Sequence, residues 1–351
     1  MSLKSRIAAM IEAQGPMSVA QFMTIALHDP KAGYYANRDP LGADFITAPE
    51  ITQAFGELLG LWCAQVWHDQ GKPKPARLVE LGPGRGTLMA DALRAARLMP
   101  EFLADIEVVL VEASPVLTSL QQERLRDCPV PVRWAQSISD IGHDRPQFTL
   151  ANEFLDALPI QQFVKTPKGW SERMVTRDAA GALAFALSPA AWNFAVPPER
   201  GEATAGAVYE FSAAASALVE DIARGVSRKG GAALFIDYGY AGAGFGETLQ
   251  AVGNNRYQDV LAKPGEVDLS AHVDFSAMTR AARAGGAKAF GPIPQGAFLE
   301  ALGIHAREAN LRAHGRTSLA IDRLTKADQM GTLFKALALL PKSAGTPPGF
   351  S

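Results

Sequence analysis

Hydrophobic side chains recur at a helical spacing just ahead of the most regular part of the chain. Residues 51–71 predict a helix, because apolar positions return every three or four residues and the segment ends at Gly71. The positions that carry this spacing are Phe55, Leu58, Leu59, Trp62 and Val66. Residues 1–30 predict two shorter helices, interrupted by the Gln-Gly-Pro sequence at residues 14–16.

Strand-like and helix-like patterns alternate from residue 76 onward. Short apolar runs predict strands, and the amphipathic segments between them predict helices. The predicted strands are residues 77–81, 106–112, 131–135, 147–152, 232–240 and 334–340, and the predicted helices are residues 87–98, 115–126 and 207–228. Such alternation is typical of an α/β fold, with a mostly parallel sheet and helices on both faces.

Residues 160–189 depart from this alternation. The sequences "PKG" and "DAAG" separate short β-like runs there, which predicts an antiparallel meander inserted into the α/β framework. We therefore expect three parts, listed here by their boundaries: an N-terminal helical and lid region at 1–75, a core formed by 76–159 together with 205–351, and a β-rich insertion at 160–204.

Composition and charge narrow the classes of partner. The chain has 351 residues and a formal net charge of −2, and no run of Lys and Arg stands out, so a nucleic-acid partner is not expected. Its two cysteines, Cys63 and Cys128, lack a metal-binding spacing and are expected to be reduced core thiols. No apolar run predicts a membrane span, and the N-terminal sequence does not read as a secretory signal.

The stretch "RLVELGPGRGTLMAD", residues 77–91, joins a predicted strand to a predicted helix through three glycines. Gly82, Gly84 and Gly86 predict a turn whose backbone a ligand can approach closely. Two ligands compete for such a turn: a dinucleotide, with its pyrophosphate at the helix N-terminus, and S-adenosylmethionine. The G-x-G-x-G spacing differs from the G-x-G-x-x-G of dinucleotide-binding units.

Glu80 favours S-adenosylmethionine. A pyrophosphate near this carboxylate would meet a repulsion of about 1 kcal/mol or more, whereas the ammonium and sulfonium groups of S-adenosylmethionine would be attracted. Glu112, at the end of the next predicted strand, can accept hydrogen bonds from both ribose hydroxyls and supports either ligand. Gln136 and Ser137, after the third predicted strand, are expected to meet the adenine amino edge.

Polar residues directly follow the fourth predicted strand, within "TLANEFLDALPI" at 149–160. One interpretation is a helix start, with Asn152 as the cap. The other is a catalytic loop, because reacting groups gather beyond the carboxyl ends of parallel strands. If the methyl acceptor is a guanidinium, whose pKa exceeds about 12, two carboxylates would orient it and stabilise its charge. Glu153 and Asp156 are then the predicted catalytic carboxylates, and Asn152 positions the substrate or the loop.

Five further residues have open roles. Thr47 and Glu50 belong to a loop-like segment, residues 28–50, and either close over the cofactor as a lid or stabilise the loop itself. His272 and Asp274 are a possible base and its carboxylate, although a structural hydrogen bond is the favoured interpretation for a single histidine. Asp237, near the end of the strand at 232–240, is expected to line a substrate channel.

Taken together, these residues resemble the MidA-type methyltransferases, the family that includes the mitochondrial complex I assembly methyltransferase and its bacterial relatives. The matching stretches run from near residue 22 to the C-terminus. They are "HDPKAGYY", "DFITAPEITQAFGELLG", "VELGPGRGTLMAD", "ANEFLDALPI", "FIDYGY", "PGEVDLSAHVDF" and "RLTKADQMGTLFKAL". The sequences "ELGPGRGTLM" and "NEFLDALP" are specific together, whereas either alone is not.

The resemblance implies a Rossmann-like class I methyltransferase fold with a seven-stranded sheet and S-adenosylmethionine as cofactor. It also implies binding roles for Gly82, Gly84, Glu112 and the loop that begins at Asn152. The implied reaction is symmetric dimethylation of arginine in a protein, such as a subunit of respiratory complex I.

Two alternatives stay open at this point: an NAD-dependent oxidoreductase, and a non-catalytic complex I assembly factor that retains the fold. A separate expectation concerns where in the cell the protein is located. Because no mitochondrial targeting segment is recognised ahead of the first helix, the sequence reads as a bacterial, cytoplasmic relative.

Overall fold

Two compact units make up the chain. The computed structural model describes residues 1–36, 39, 46–192, 194–242, 244–313 and 321–350. The sheet unit comprises Ile46–Leu155, Ala217–Tyr240 and Phe275–Ser351, and the accessory unit comprises Met1–Phe45, Asp156–Ser216 and Ala241–Asp274. Among the helices in the described ranges, none is long and apolar enough to span a bilayer.

Helices and strands occur in both units. The helices are α1 Leu3–Gln14, α2 Val19–His28, α3 Ala48–Ile51, α4 Gln53–Asp69, α5 Thr87–Ala96, α6 Pro100–Ala104, α7 Pro115–Arg124, α8 Ala213–Lys229, α9 Phe275–Ala284, α10 Gln295–Ala301, α11 Ile304–Ala313, α12 Ile321–Thr325 and α13 Met330–Leu333. The strands are β1 Met17–Ser18, β2 Ala76–Leu81, β3 Ile106–Val111, β4 Val132–Ala135, β5 Gln147–Asn152, β6 Gln161–Thr166, β7 Gly169–Arg177, β8 Leu183–Trp192, β9 Val208–Phe211, β10 Gly231–Tyr240, β11 Gln250–Gly253, β12 Arg256–Gln258, β13 Asp268–Ser270, β14 Val273–Asp274, β15 Lys288–Pro294 and β16 Phe334–Leu340.

The sheet unit is built on seven strands in the order β15-β16-β10-β5-β2-β3-β4. The five strands from β10 to β4 run parallel, and β16 runs antiparallel to both β10 and β15. The predicted mostly parallel, seven-stranded sheet is therefore confirmed. Because parallel strands end at the same edge of a sheet, the segments after β2, β3, β4 and β5 meet there.

Central strands of this sheet are buried along almost their whole length because helices cover both of their faces. Phe148 on β5 is fully buried, and it meets Phe102 of α6 edge to face at 6.3 Å between ring centroids. Trp62 and Trp67 of α4 belong to the same hydrophobic core. This packing fixes the strand ends that carry the predicted site.

The accessory unit has a second, antiparallel sheet. β1, β7, β6 and β9 pair in that order, and β8 pairs with β7, so the meander predicted at 160–189 is confirmed. β11 lies between β12 and β13 in a separate three-stranded sheet. Side chains of α1 and α2, including Ile7 and Phe22, pack with Val175 of β7 and Leu269 of β13 in one hydrophobic core.

Two expectations differ from the structure. The helix predicted at 207–228 is wrong at its start, because Val208–Phe211 forms β9 and pairs antiparallel with β6. Pairing with a strand far away in sequence determines the conformation of these four residues. The compact units also follow boundaries other than those predicted, since α3 and α4 pack in the sheet unit and residues 241–274 pack in the accessory unit.

Candidate active site

The glycine turn, residues 82–86, follows β2 and leads into α5. Gly82, Gly84 and Gly86 have φ angles of 62°, 53° and 76°, in the left-handed region that favours glycine. A Cβ built on Gly82 would lie 2.7 Å from Cδ2 of Phe154, which belongs to the loop after β5. Residue 82 must therefore be glycine for two reasons, and the turn packs directly against that loop.

Glu80 is a buried carboxylate near the end of β2. Burial, together with the negative charge of Glu112, raises its pKa to about 8, and the backbone N–H of Met89 opposes this rise. Its Oε2 atom is buried and accepts no hydrogen bond within the part of the chain that the structure describes. A buried acceptor without a donor is costly. Its position thus suits a ligand that brings positive charge or a hydrogen-bond donor.

Glu112 directly follows β3 and is held by two donors. Its Oε1 accepts from the backbone N–H of Ser114 at 2.8 Å, and its Oε2 accepts from Nε2 of Gln121 at 3.1 Å. Burial raises the pKa of Glu112, and these two hydrogen bonds oppose the rise. The same Nε2 of Gln121 also donates to the carbonyl of Gly84 at 2.7 Å. The carboxylate predicted to bind ribose is therefore tied to the glycine turn.

The remaining predicted cofactor contacts lie in the surrounding loops. Gln136 follows β4 and is exposed. The hydroxyl of Ser137 caps a short 3₁₀ turn by accepting from the N–H of Ser139 at 3.3 Å. Thr47 precedes α3, and its side chain makes no capping hydrogen bond. Contacts of these three residues with a cofactor stay predictions.

Glu153 stands directly after β5 in a left-handed backbone conformation, with a φ of 51°. Its Oε1 accepts from the backbone N–H of Ala48 at 2.8 Å and from Nδ2 of Asn152 at 3.0 Å. The Oδ1 of Asn152 is buried with no hydrogen-bond partner in the described ranges. No helix begins here, so the interpretation of Asn152 as a helix cap is wrong. A non-glycine residue held at positive φ is a feature that clusters at functional sites.

Asp237 of β10 fixes the backbone of this loop. Its Oδ2 accepts from the N–H groups of Phe154 at 3.1 Å and Leu155 at 2.9 Å, and its Oδ1 accepts from the N–H of Tyr238 at 2.9 Å. The side chain is buried, with 1% of the residue exposed. The expectation that Asp237 lines a channel is therefore wrong, and its contacts give it a role in holding the loop.

Helix α3 joins the loop to the start of α5. Its first residue, Ala48, donates to Glu153 as described above, and its Glu50 accepts a short hydrogen bond from Oγ1 of Thr87. Thr87 is the first residue of α5. The segment predicted to act as a lid thus connects the loop after β5 to the helix that follows the glycine turn. Most of residues 37–45 lie outside the described residues.

Three predicted residues belong to the accessory unit instead. Asp156 is buried, and its backbone carbonyl accepts from the N–H of Ala271 at 3.0 Å. Asp274 forms a buried ion pair with Arg200. Burial lowers the pKa of His272, against the opposing effect of Glu210. Of the two predicted catalytic carboxylates, the sheet unit contains only Glu153.

No role for Gln121 was predicted from the sequence. A signal was present, because Gln121 lies four residues after Leu117 and shares the buried face of α7 with it. A polar residue on such a face indicates a specific hydrogen-bonding role, since an unpaired amide would be costly there. The close packing of Phe154 against Gly82 was also not predicted, and no local sequence pattern indicates it.

The strand order, the glycine turn after β2 and the carboxylate after β3 define a class I S-adenosylmethionine-dependent methyltransferase. The residues present fit this cofactor, since the unpaired oxygen of Glu80 and the glycine turn suit a ligand with cationic groups. A family model of S-adenosyl-L-methionine-dependent methyltransferases matches residues 58–293, and the chain belongs to this MidA-like family. The family decides the choice that the sequence left open, and the cofactor is S-adenosylmethionine rather than a dinucleotide.

Curated relatives and solved structures agree with this assignment. The human "Protein arginine methyltransferase NDUFAF7, mitochondrial" is 38% identical over 367 residues, which cover 94% of this chain and 81% of that protein. The Xenopus tropicalis protein of the same name is 36% identical over 371 residues, covering 95% and 84%. A Burkholderia thailandensis protein bound to S-adenosyl-homocysteine has a TM-score of 0.86 and 30% identity, covering 99% of this chain and 94% of that one.

Proposed function

We propose that this chain methylates arginine side chains of a protein and forms symmetric dimethylarginine. The relatives named above are protein arginine methyltransferases, and they match the chain over nearly its whole length. The observation that carries the proposal is the geometry of Glu153. Its carboxylate is fixed at the carboxyl edge of the sheet, beside the glycine turn that suits the cofactor.

In this proposal Glu153 accepts hydrogen bonds from the substrate guanidinium. A guanidinium is planar and stays protonated, so a carboxylate orients it and stabilises its positive charge. The bonds from Ala48 and Asn152 fix the direction of the carboxylate before the substrate arrives, which is the arrangement that favours catalysis by positioning. Asn152 contributes its buried Oδ1 as a further acceptor for an N–H of the substrate.

Bound S-adenosylmethionine supplies a methyl group on a positively charged sulfur. For each methyl transferred, a carbon–sulfur bond breaks to leave S-adenosyl-homocysteine, a carbon–nitrogen bond forms, and the guanidinium releases one proton to solvent water. The negative charge of Glu153 stabilises the positive charge that this change concentrates on the substrate. Glu80, the glycine turn and Glu112 hold the cofactor, with Glu80 near its cationic groups and Glu112 on its ribose.

A transfer assay with labelled S-adenosylmethionine tests the proposal. We expect label on a peptide that contains arginine and none on the same peptide with lysine in its place. Fragmentation by mass spectrometry then distinguishes symmetric from asymmetric dimethylarginine. Label on lysine alone, or on no peptide and no cell-extract protein, would contradict the proposed reaction.

Glu153→Gln tests the role of the carboxylate. We expect transfer to fall by about 100-fold or more, because the variant loses a charge that stabilises the transition state. Affinity for S-adenosyl-homocysteine, measured by calorimetry, should stay close to that of the unchanged chain. Glu123→Gln is the matched control, since Glu123 is exposed on α7. If Glu153→Gln loses cofactor binding instead, the residue belongs to the cofactor pocket.

The acceptor that we propose is a subunit of respiratory complex I. The proposal draws on the family resemblance, and on no contact in the structure. Mass spectrometry of complex I subunits from cells with and without the gene tests it, and the expected result is a dimethylarginine that only the gene-containing cells show. The expected bacterial, cytoplasmic location is tested by fractionating the same cells.

A further inference from the structure

Gln121 of α7 combines complete burial with a polar side chain. The residue is 0% exposed, and it shares the buried face of α7 with Leu117. Burying an amide without hydrogen bonds costs free energy, so the chain keeps such a residue only where its bonds are satisfied. The partners of Gln121 therefore show what the residue does.

Three hydrogen bonds of the amide reach segments around the glycine turn and the adjoining strand ends. Nε2 donates to the carbonyl of Gly84 at 2.7 Å and to Oε2 of Glu112 at 3.1 Å. Oε1 accepts from Nε1 of Trp134 at 2.9 Å. Tryptophan Nε1 can only donate, so the amide orientation is determined by its partners. One side chain thus connects the turn after β2, the carboxylate after β3 and the strand β4.

The stem of this side chain lies beside the start of α5. A Cβ built on Gly86 would lie 3.4 Å from Cγ and 3.6 Å from Cβ of Gln121. Gly86 is the residue before α5, and it has a φ of 76°. The stem of Gln121 therefore lies next to the residue before α5, while its amide donates to Gly84 and Glu112. A shift of α7 would move both proposed cofactor contacts at once.

We propose that Gln121 is a positioning residue that sets Glu112 and the glycine turn for the adenosine half of the cofactor. The proposal rests on the cofactor roles given above to Glu112 and to the turn. Gln121 holds the Glu112 carboxylate from one side, and the N–H of Ser114 holds it from the other. Both oxygens are thus oriented before the ribose hydroxyls arrive.

Calorimetry with S-adenosyl-homocysteine and methylthioadenosine tests this role. Gln121→Met keeps the length of the side chain and removes its two donors. We expect it to weaken both ligands by a similar factor of about tenfold, which corresponds to a loss of about 1.4 kcal/mol. Methylthioadenosine lacks the amino-acid half, so an equal loss locates the effect at the adenosine half. Gln121→Glu should weaken both further, because it places a carboxylate oxygen against two acceptors.

Gln122→Met is the matched control, since Gln122 is the exposed neighbour on the same helix and should leave both affinities unchanged. If Gln121→Met does not fold, Trp134→Phe removes the donor to Oε1 and should weaken both ligands in the same ratio. A folded Gln121→Met that binds both ligands like the unchanged chain overturns the proposal, as does a loss confined to S-adenosyl-homocysteine. Failure of the unchanged chain to bind S-adenosyl-homocysteine would instead overturn the proposed cofactor site. Calorimetry with these two ligands does not depend on arginine being the methyl acceptor.

Discussion

Replacing Gly82 by alanine tests the tie between the glycine turn and the loop after β5. The new Cβ meets two obstacles in the structure. The backbone at residue 82 has a φ of 62°, and the Cβ would lie 2.7 Å from Cδ2 of Phe154. Carbon atoms in contact normally lie about 3.5 to 4.0 Å apart, so the ring or the turn must move.

The free-energy costs of the two obstacles can be estimated separately. An L-residue in the left-handed region costs about 1–2 kcal/mol. Forcing an extra methyl group into a packed contact costs about 1–3 kcal/mol more. Gly142→Ala isolates the first cost, because Gly142 has a φ of 71° and a Cβ there would meet no atom within 4 Å. The difference between the two variants, about 1–3 kcal/mol, is the contribution of the contact with Phe154.

Urea unfolding followed by tryptophan fluorescence measures the free energy of unfolding of each variant. Calorimetry with S-adenosyl-homocysteine shows whether the displaced turn also loses its ligand, and we expect weaker binding only for Gly82→Ala. Adding Phe154→Leu to Gly82→Ala should recover part of the contact cost. Equal destabilisation by Gly82→Ala and Gly142→Ala would refute the argument that Phe154 occupies the space beside the turn.

Two more substitutions test the electrostatics of the sheet edge. The pKa of Glu80 rises from 4.5 to about 8 through burial, so between these pH values the folded chain keeps a proton that the unfolded chain releases. The free energy of unfolding of the ligand-free chain should fall as the pH rises through this window. Asp91, whose pKa burial raises to about 6, contributes to the same fall. Glu80→Gln should therefore reduce the fall without abolishing it in urea titrations at several pH values, and equal slopes in both chains would contradict the assignment. Asp237→Asn should lower the free energy of unfolding by about 2 kcal/mol, because the loop backbone loses a charged acceptor. It should also slow methyl transfer at unchanged affinity for S-adenosyl-homocysteine, and weaker binding with an unchanged rate would argue against a role at the loop.

The sequence predicted the elements whose apolar pattern is strong and uninterrupted. The strands at 147–152 and 334–340 have their predicted bounds. The second is an almost continuous apolar run, and the first is buried along its first five residues although Gln147 and Thr149 are polar. The helix predicted to include residues 208–211 was wrong there, because four residues are too few to show a decisive strand or helix pattern. Pairing with β6 determines their conformation, and that pairing joins Gln161 to Phe211 across fifty positions of sequence.

The same distinction between local patterns and remote pairing applies to the candidate site. Gly82, Glu80 and Glu153 were predicted, since each follows or ends a recognisable strand. The hydrogen bonds that fix the turn and the loop were not predicted, because their partners are remote in sequence. Gln121 bonds to Gly84 over 37 positions, and Asp237, which was expected to line a channel, bonds to Phe154 over 83. A side chain's position in a motif is a local property, whereas the bonds that fix its direction depend on the finished fold.

The two carboxylates at the ends of β2 and β3 show why burial must be known before charge can be assigned. Glu112 has donors on both oxygens, and they oppose the rise in its pKa, whereas Glu80 has one buried oxygen with no donor among the described residues. The pKa of Glu80, about 8, keeps this carboxyl mostly neutral at pH 7 in the ligand-free chain. A ligand with cationic groups reverses this balance, because its positive charge favours the ionised form of Glu80. A pyrophosphate would oppose ionisation of both glutamates. The buried, under-satisfied carboxylate of Glu80 therefore supports its predicted contact with a cationic cofactor, which the presence of a glutamate in the sequence alone does not.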